Sequence, residues 1–279
     1  MAWSNIHTTT TLANLNPDIW VNQVEPYAEA LLVSEGIVTK FDFAGAGDVL
    51  RLPKMSAISC NAAITDGSDV TLTGNTEAVV TVTPAGRECA VFIPWQVGLV
   101  SLQATEGAYQ IELARAIRTD KDYRILTQTA SLTTNIVGSG SSHVEKTVFL
   151  EALRKVRGGN AKPPYNAVFS TDEFDVFFSI SDFVDASKTG SVDRIQNGLG
   201  GMLIGTNVWF TSNVYIDGGT NYNLICGDRC LAYAAKLGLT IDINTVPIKG
   251  NGILIHGKYM DASAILNDAF GCCYQTANV

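Results

Sequence analysis

The stretch from Gly47 to Pro94 constrains the fold most, because it reads as a long two-stranded β-arm with little of its own chain to lie on. Its outgoing half, Asp48-Val-Leu-Arg-Leu-Pro-Lys-Met55, follows the turn-forming Gly45-Ala-Gly47. Its returning half is Glu77-Ala-Val-Val-Thr-Val-Thr83, resumed as Cys89-Ala-Val-Phe-Ile93. β-Branched residues in partial alternation mark strands with one covered face. Between the halves, Ser56 to Thr76 is made of small and polar residues, with Gly67 and Gly74 as turn points. An isolated two-stranded ribbon is marginal in water. A chain that builds one this long lays it on another surface, and the expected surface is a second copy of itself. Arg51, Lys54, Val80 and Val82 are the expected contact residues on the arm.

Charge points the same way. The 279 residues are enough for one or two domains with a real core, and only 16% of them are charged, against roughly 25% in a typical soluble domain. Either a membrane protein or a protein with much of its surface sealed in contacts fits that deficit. No stretch approaches the ~18 consecutive apolar residues of a membrane helix, and the start lacks a basic-then-apolar signal pattern. Sealed contacts are therefore the expectation. The net charge of −8 argues against a free-standing nucleic-acid binder. It says little against a container whose wall should not grip its contents.

Residues 1–23 are rich in Thr and Asn with scattered apolar anchors, among them Trp3 and Trp20. That composition suits an arm running extended over a neighbour and pinned by its tryptophans. Pro26 can open a short helix ended by Gly36. After the β-arm, an apolar run Val97–Leu102 precedes the longest helical signal, Glu106 to about Thr129, with Thr105 as candidate N-cap. Tyr109, Ile111, Leu113, Ala114, Ile117, Ile125 and Leu126 give it a broad apolar face. Its interleaved Arg115, Arg118, Lys121 and Arg124 read either as a salt-bridged surface or as a stripe toward nucleic acid. Ser142 and Glu145 form a capping box opening a helix over Val144–Val156; Ser170 and Glu173 form a second, ahead of Phe174, Phe177 and Phe178. Between them Pro163-Pro164 leads into a buried strand, Asn166–Phe169. Further expectations are a loop at Asp185–Gly201, a strand at Met202–Thr211, a turn at Asp217-Gly-Gly and a strand at Tyr222–Cys226. A helix over Asp228–Leu237 follows, then two strands within Ile253–Tyr274 turning at Asn267-Asp268.

Catalytic and metal motifs are sparse. His7, His143 and His256 lie far apart, and Gly198-Leu-Gly-Gly201 lacks the lysine of a phosphate loop. The carboxylates Asp172, Glu173 and Asp175, and Asp182 and Asp185, would need to converge in a pocket to act as acid and base. Of the six cysteines, Cys226 and Cys230 could donate two metal ligands, but no second Cys/His pair at zinc-like spacing accompanies them. Neither a cofactor nor enzymatic activity is expected.

The order of these pieces resembles the major capsid proteins of tailed bacteriophages with the Hong Kong 97 fold. Gly47–Pro53, Thr81–Ile93, the strand–helix at Val168–Phe178 and Gly205-Thr-Asn-Val-Trp-Phe-Thr-Ser-Asn213 carry most of the likeness. The resemblance implies an α+β fold with an N-terminal arm (residues 1–35), an extended loop or E-loop (36–95) and a peripheral or P domain with a spine helix (96–165). An axial or A domain (166–247) and a return to the P domain (248–279) complete it. It implies self-assembly into pentamers and hexamers of an icosahedral head around double-stranded DNA, in the virion after assembly in the host cytoplasm. A separate scaffolding protein, or none, is implied, with portal and decoration proteins as further partners and without any membrane. Some members crosslink through a Lys, an Asn and a Glu; Lys54 is on the arm here, but the Asn and Glu have no match. The long N-terminal extension that some members cleave away is likewise unmatched. An encapsulin shell is the alternative within the fold, and a hydrolase with its site in 166–247 the alternative outside it.

Overall fold

The computed structural model describes residues 32–43, 47–55, 58, 60, 69, 74–94, 105–180, 202–247 and 252–278, the side chains of 105–108 and 202 excepted. The N-terminal arm with Trp3 and Trp20, the helix opened by Pro26, the Val97–Leu102 run, the 185–201 loop and most of Ser56–Thr76 lie outside these residues. In chain order the first strands are β1 (Thr39–Asp42), β2 (Leu50–Met55), β3 (Glu77–Val82), β4 (Ala85–Ile93) and β5 (Ile136–Gly138). Then come β6 (Tyr165–Ser170), β7 (Met202–Leu203), β8 (Thr206–Thr211), β9 (Tyr215–Asp217) and β10 (Thr220–Cys226). The last are β11 (Leu231–Val246), β12 (Gly252–Ile265) and β13 (Gly271–Ala277). Three helices are described: α1 (Thr105–Thr127), α2 (Lys146–Gly158) and α3 (Phe174–Ser179).

A seven-stranded sheet runs β5-β13-β10-β6-β8-β7, with β9 paired to β10. Strand period two sends alternate side chains to its two faces, and both faces are covered. Ala167, Phe169, Ile225, Cys272 and Tyr274 join one cluster with Phe149, Ala152, Leu153 and Val156 of α2 and Phe177 of α3. Those four α2 positions recur at helical spacing and form its buried stripe. The Phe169 ring centre lies 5.4 Å from Phe177, 5.8 Å from Tyr274 and 6.1 Å from Phe149. On the opposite face Val168, Leu224, Cys226 and Cys273 meet Ile125 and Leu126 of α1, together with Leu132, Val33 and Ile37.

A four-stranded sheet runs β1-β11-β12-β4, and the N-terminal half of α1 crosses it. Leu113 packs with Ile93 and Ile255. Gly257 of β12 faces Ile117, whose Cδ1 would stand 2.8 Å from an added Cβ, so the missing side chain lets helix and strand approach. One helix thus ties the two sheets together, at Leu113 and Ile117 on one and at Ile125 and Leu126 on the other.

Several local expectations give way to tertiary structure. Asp228–Leu237 is not a helix: Leu231–Val246 is strand, parallel to β1 and antiparallel to β12. Its alanines favour helix, but its buried side chains alternate between two clusters with a period of two. Ala232 and Ala234 sit beneath β2–β3, while Leu231 and Tyr233 face the α1 side. Met202–Thr211 is a hairpin rather than one strand, because Ile204 (φ 50) and Gly205 (φ 74) form a two-residue turn with both φ positive. The Ser142/Glu145 capping box does not form. Helix α2 starts at Lys146 without a side-chain cap, and the Glu145 N–H donates instead to the Tyr274 hydroxyl at 2.9 Å. Ser170 does accept from the Asp172 N–H, at 3.3 Å, but Glu173 turns elsewhere. Tyr109 and Ile111 are 40% and 59% exposed, so the apolar face of α1 is narrower than its sequence reads. The strand Asn166–Phe169, the Asp217-Gly-Gly turn and the turn at Asn267-Asp268 stand where expected. Residues 166–247 are divided between the sheets: β6–β10 lie in the seven-stranded one and β11 in the other, while 248–279 gives one strand to each.

Candidate assembly surface

β2 and β3 form a separate antiparallel ribbon, in register from Leu50 opposite Val82 to Met55 opposite Glu77. The resumed half, Cys89–Ile93, is not part of that ribbon; it lies in β4, hydrogen-bonded to β12. The root of the ribbon rests on its own chain. Leu50, Leu52, Val80 and Val82 turn toward Ala232, Ala234, Ala262 and Ala264. Small residues there let the ribbon sit close. Lys236 fixes the approach by donating to the Gly47 carbonyl, with the Phe43 ring centre 5.3 Å from its Nζ.

Past Pro53 that support ends. Met55 is 70% exposed, Val79 56% and Ile58 68%. The expected contact residues therefore divide. Arg51 and Lys54 are exposed, Lys54 with its Nζ 3.5 Å from the Leu266 carbonyl. Val80 is half-buried, and Val82, at 1% exposure, is occupied within its own chain. Sequence reasoning missed Met55, Ile58 and Val79. The available signal was the adjacent pair Val79-Val80, since neighbours on a strand face opposite ways and one valine must point outward.

Solved structures superimpose on nearly the whole chain. A structure from Mycobacterium phage Che8 matches 94% of this chain and 97% of its own, with TM-score 0.77 and 15% identity. The capsid structure of cyanophage P-SCSP1u matches 96% and 95%, with TM-score 0.75 and 12% identity. The capsid of a native GTA particle matches 98% and 100%, with TM-score 0.70 and 10% identity. This is the Hong Kong 97-type phage capsid fold. No protein-family model and no curated protein sequence matches the chain.

Within this capsid fold the buried polar groups around α1 are engaged with one another. The Asp122 carboxylate, 2% exposed, accepts from the Val33 and Ser34 N–H groups at 3.1 and 2.7 Å and from Asn213 Nδ2 at 3.1 Å. Arg124 donates to Asp120 at 2.9 Å and to the buried Asp261 at 2.8 Å; Tyr233 donates to Asp261 at 3.0 Å. Burial first, then Asp261, pushes the Tyr233 hydroxyl far above its ordinary range; burial and the Asp120 hydrogen bond push Tyr259 up to about 12. Of the expected basic stripe, Arg115 pairs with Glu112, Lys121 with Glu35 and Arg124 with Asp120. The salt-bridged reading accounts for those three.

Among the described residues the candidate catalytic groups do not converge, and His7, Asp182 and Asp185 lie outside those residues. Asp172 accepts from Ser170 Oγ and Asn221 Nδ2 at 3.0 and 3.2 Å. Buried Glu173 accepts from the Val144 N–H at 3.0 Å and faces His143 Nδ1 at 3.3 Å, near the start of α2. His256 meets Glu88 at 3.0 Å, on the far sheet. Burial pushes the Cys226, Cys272 and Cys273 thiols up to about 12. Cys272 and Cys273 point to opposite faces of β13, so they cannot share a ligand. Among the described residues no cluster of three or more His, Cys, Asp or Glu side chains could hold a metal ion.

Proposed function

We propose that this chain is the structural subunit of a phage-type capsid, assembling into pentamers and hexamers of an icosahedral shell around double-stranded DNA, with no catalytic role. One observation carries the reading: on a capsid fold, a ribbon rooted on its own chain ends in exposed Met55, Ile58 and Val79. Burying each against a neighbour would contribute about 1–3 kcal/mol. A closed shell repeats that contact at every subunit, so weak contacts sum to a stable wall. Residues 1–35 serve as an arm pinned on neighbours by Trp3 and Trp20, and 36–95 as the E-loop. Residues 96–165 with 248–279 form the P domain and 166–247 the A domain, with β11 exchanged into the P-domain sheet and β13 into the A-domain sheet. The low charge and net −8 suit a wall that holds DNA without sequence preference. Scaffolding, portal and decoration proteins are the further partners, with assembly in the host cytoplasm and residence in the virion.

Replacing Ser56–Thr76 by a two-residue Asn-Gly turn tests this. The β2–β3 register permits a tight hairpin, and the root contacts stay. The subunit should keep its circular dichroism and cooperative unfolding yet fail to form shells by negative-stain microscopy. Normal shells from the shortened chain would sink the intersubunit role of the arm. Wild-type shells enclosing protein in place of DNA would move the reading to an encapsulin.

A further inference from the structure

The chain crosses between its two sheets from β10 to β11 and returns from β12 to β13, and a cysteine stands at each end of the first crossing. Cys226 ends β10 and Cys230 immediately precedes β11; both are sealed from solvent, in one cluster with Leu132 and Cys273. The turn between them is sharp. Arg229 has φ 57, and the Cys230 carbonyl accepts from the Leu266 and Asn267 N–H groups at 2.8 and 3.2 Å. The Cys230 sulfur fills the space above Gly271, 2.6 Å from where a Cβ on that glycine would stand. Gly271 is the residue directly opposite Cys226 in the β10–β13 ladder. Residues so placed hold their Cβ positions about 4.5–5.5 Å apart. The notch left by the glycine therefore sets the Cys230 sulfur beside the Cys226 side chain.

We propose that Cys226 and Cys230 are a modification site: in an oxidising medium they close an intrachain disulfide that staples the crossing between the sheets. The other cysteines are worse placed. Cys60 is on the arm, Cys89 in β4 of the other sheet, Cys272 on the opposite face of β13, and Cys273 opposite Leu224 in the ladder. Hydrogen peroxide is a sufficient oxidant. One thiolate attacks a peroxide oxygen, giving a sulfenic acid and hydroxide; the second thiol displaces the hydroxyl and closes the S–S bond. Two thiols and one peroxide become one disulfide and two waters, the sulfurs losing the two electrons that the peroxide gains. Burial, above all, holds both thiols well above their ordinary range. The step is therefore slow in the closed fold and goes through opening of the exposed turn at Asp228 and Arg229. Its timing rests on the shell reading: the thiols stay reduced in the cytoplasm where subunits assemble and oxidise once particles leave it.

Trypsin cuts after Arg229, between the two cysteines, so a link is read directly from a digest. The test uses the full chain carrying Cys60→Ser, purified with reductant, freed of it and treated with hydrogen peroxide. Digestion without reductant should yield the two flanking peptides joined, lighter than their sum by two hydrogens. Thiols titrated in urea should fall by two per chain. The thermal midpoint of the oxidised subunit should rise by about 3 °C or more and return when reductant is added. Adding Cys230→Ala should abolish the rise. Separate peptides, a Cys226–Cys273 link in their place, or oxidation that ends at sulfinic acid overturns the proposal. So does a link that leaves the midpoint unchanged. Shells that keep both thiols free under peroxide refute the staple and leave the shell reading standing. A linked subunit that builds no shells does the reverse.

Discussion

Asp122→Ala should be among the most damaging single changes to the subunit, and its size can be worked from three contacts. The carboxylate lies on the inner side of α1, at 2% exposure, and holds two distant segments at once: the Val33–Ser34 backbone and the Asn213 amide. A hydrogen bond to an ionised acceptor is worth about 1.5–3 kcal/mol net, and a buried donor left without a partner costs a similar amount. Three such bonds would sum to roughly 4.5–9 kcal/mol if independent, but they share one carboxylate. Val33 and Ile37 also hold the turn through the core, as does the Lys121–Glu35 pair. A loss of about 3–5 kcal/mol follows, the range found when one partner of a buried charged contact is removed. With a urea m-value of about 3 kcal/mol/M, the midpoint should fall by roughly 1–1.7 M. Asp122→Asn keeps an acceptor for the two N–H groups, and Asn213 can flip to offer its oxygen. It should cost only about 1–2 kcal/mol, the charge assistance alone. Urea unfolding of the unassembled subunit, followed by circular dichroism, separates the two variants. Amide exchange at Val33 and Ser34 should quicken first, because their opening is local. An alanine variant within about 0.3 M of wild type, or an asparagine variant as weak as the alanine one, would refute the reasoning.

Three further outcomes follow from the core and its titratable groups. Phe169→Ala empties the middle of the aromatic cluster formed with Phe149, Phe177, Phe210 and Tyr274, and should cost about 3–5 kcal/mol in urea unfolding. The Asp268 carboxyl is held below its ordinary range: burial works against the shift, but hydrogen bonds from Thr134 and Thr133 outweigh it. A depressed folded value gives stability that is present above the ordinary carboxylate pKa of about 4 and is lost as pH falls through the folded value. Asp268→Asn should therefore be less stable than wild type near pH 6 and converge with it on acidification, as read by urea midpoints across pH. Cys226, Cys230, Cys272 and Cys273 are buried with thiol pKa values raised chiefly by burial. They should resist a thiol reagent at pH 8 until urea unfolds the chain, while the exposed Cys60 reacts at once.

How much of this was legible in the sequence depended on how far apart the deciding partners lie. The ribbon β2–β3, the helix α1 and the strand at Tyr165–Ser170 read correctly, because each is marked by its own residues: alternation, an uninterrupted helical run, a Pro-Pro lead. Asp228–Leu237 misread because Ala-Tyr-Ala-Ala-Lys favours a helix locally, and only Thr39–Asp42 of β1 and Met260–Ile265 of β12, each more than a dozen residues away, supply the pairing that overrides it. Ser170 does cap its turn, but the first capping box and the glutamate half of the second failed for a related reason. Glu173 answers the Val144 N–H across 29 residues, and the Glu145 N–H answers Tyr274 across 129. A capping motif sees three residues ahead and cannot register such competitors.

The same distance effect explains the split among the expected contact residues. Sequence shows that one face of a β-arm is apolar but not where its cover comes from. Leu52 and Val82 find theirs at Ala232 and Ala234, small residues of a strand that the sequence presented as helix. Once that strand is in place, the inner face of the root is used up, and any intersubunit role must pass to the outer face and the tip. Arg51, Lys54, Met55, Ile58 and Val79 remain there in solvent, and three of those five are large apolar side chains. A ribbon satisfied at one end and bare at the other has one economical completion in a chain on a capsid fold. In the proposed shell, that completion is for the bare end to lie on a neighbour.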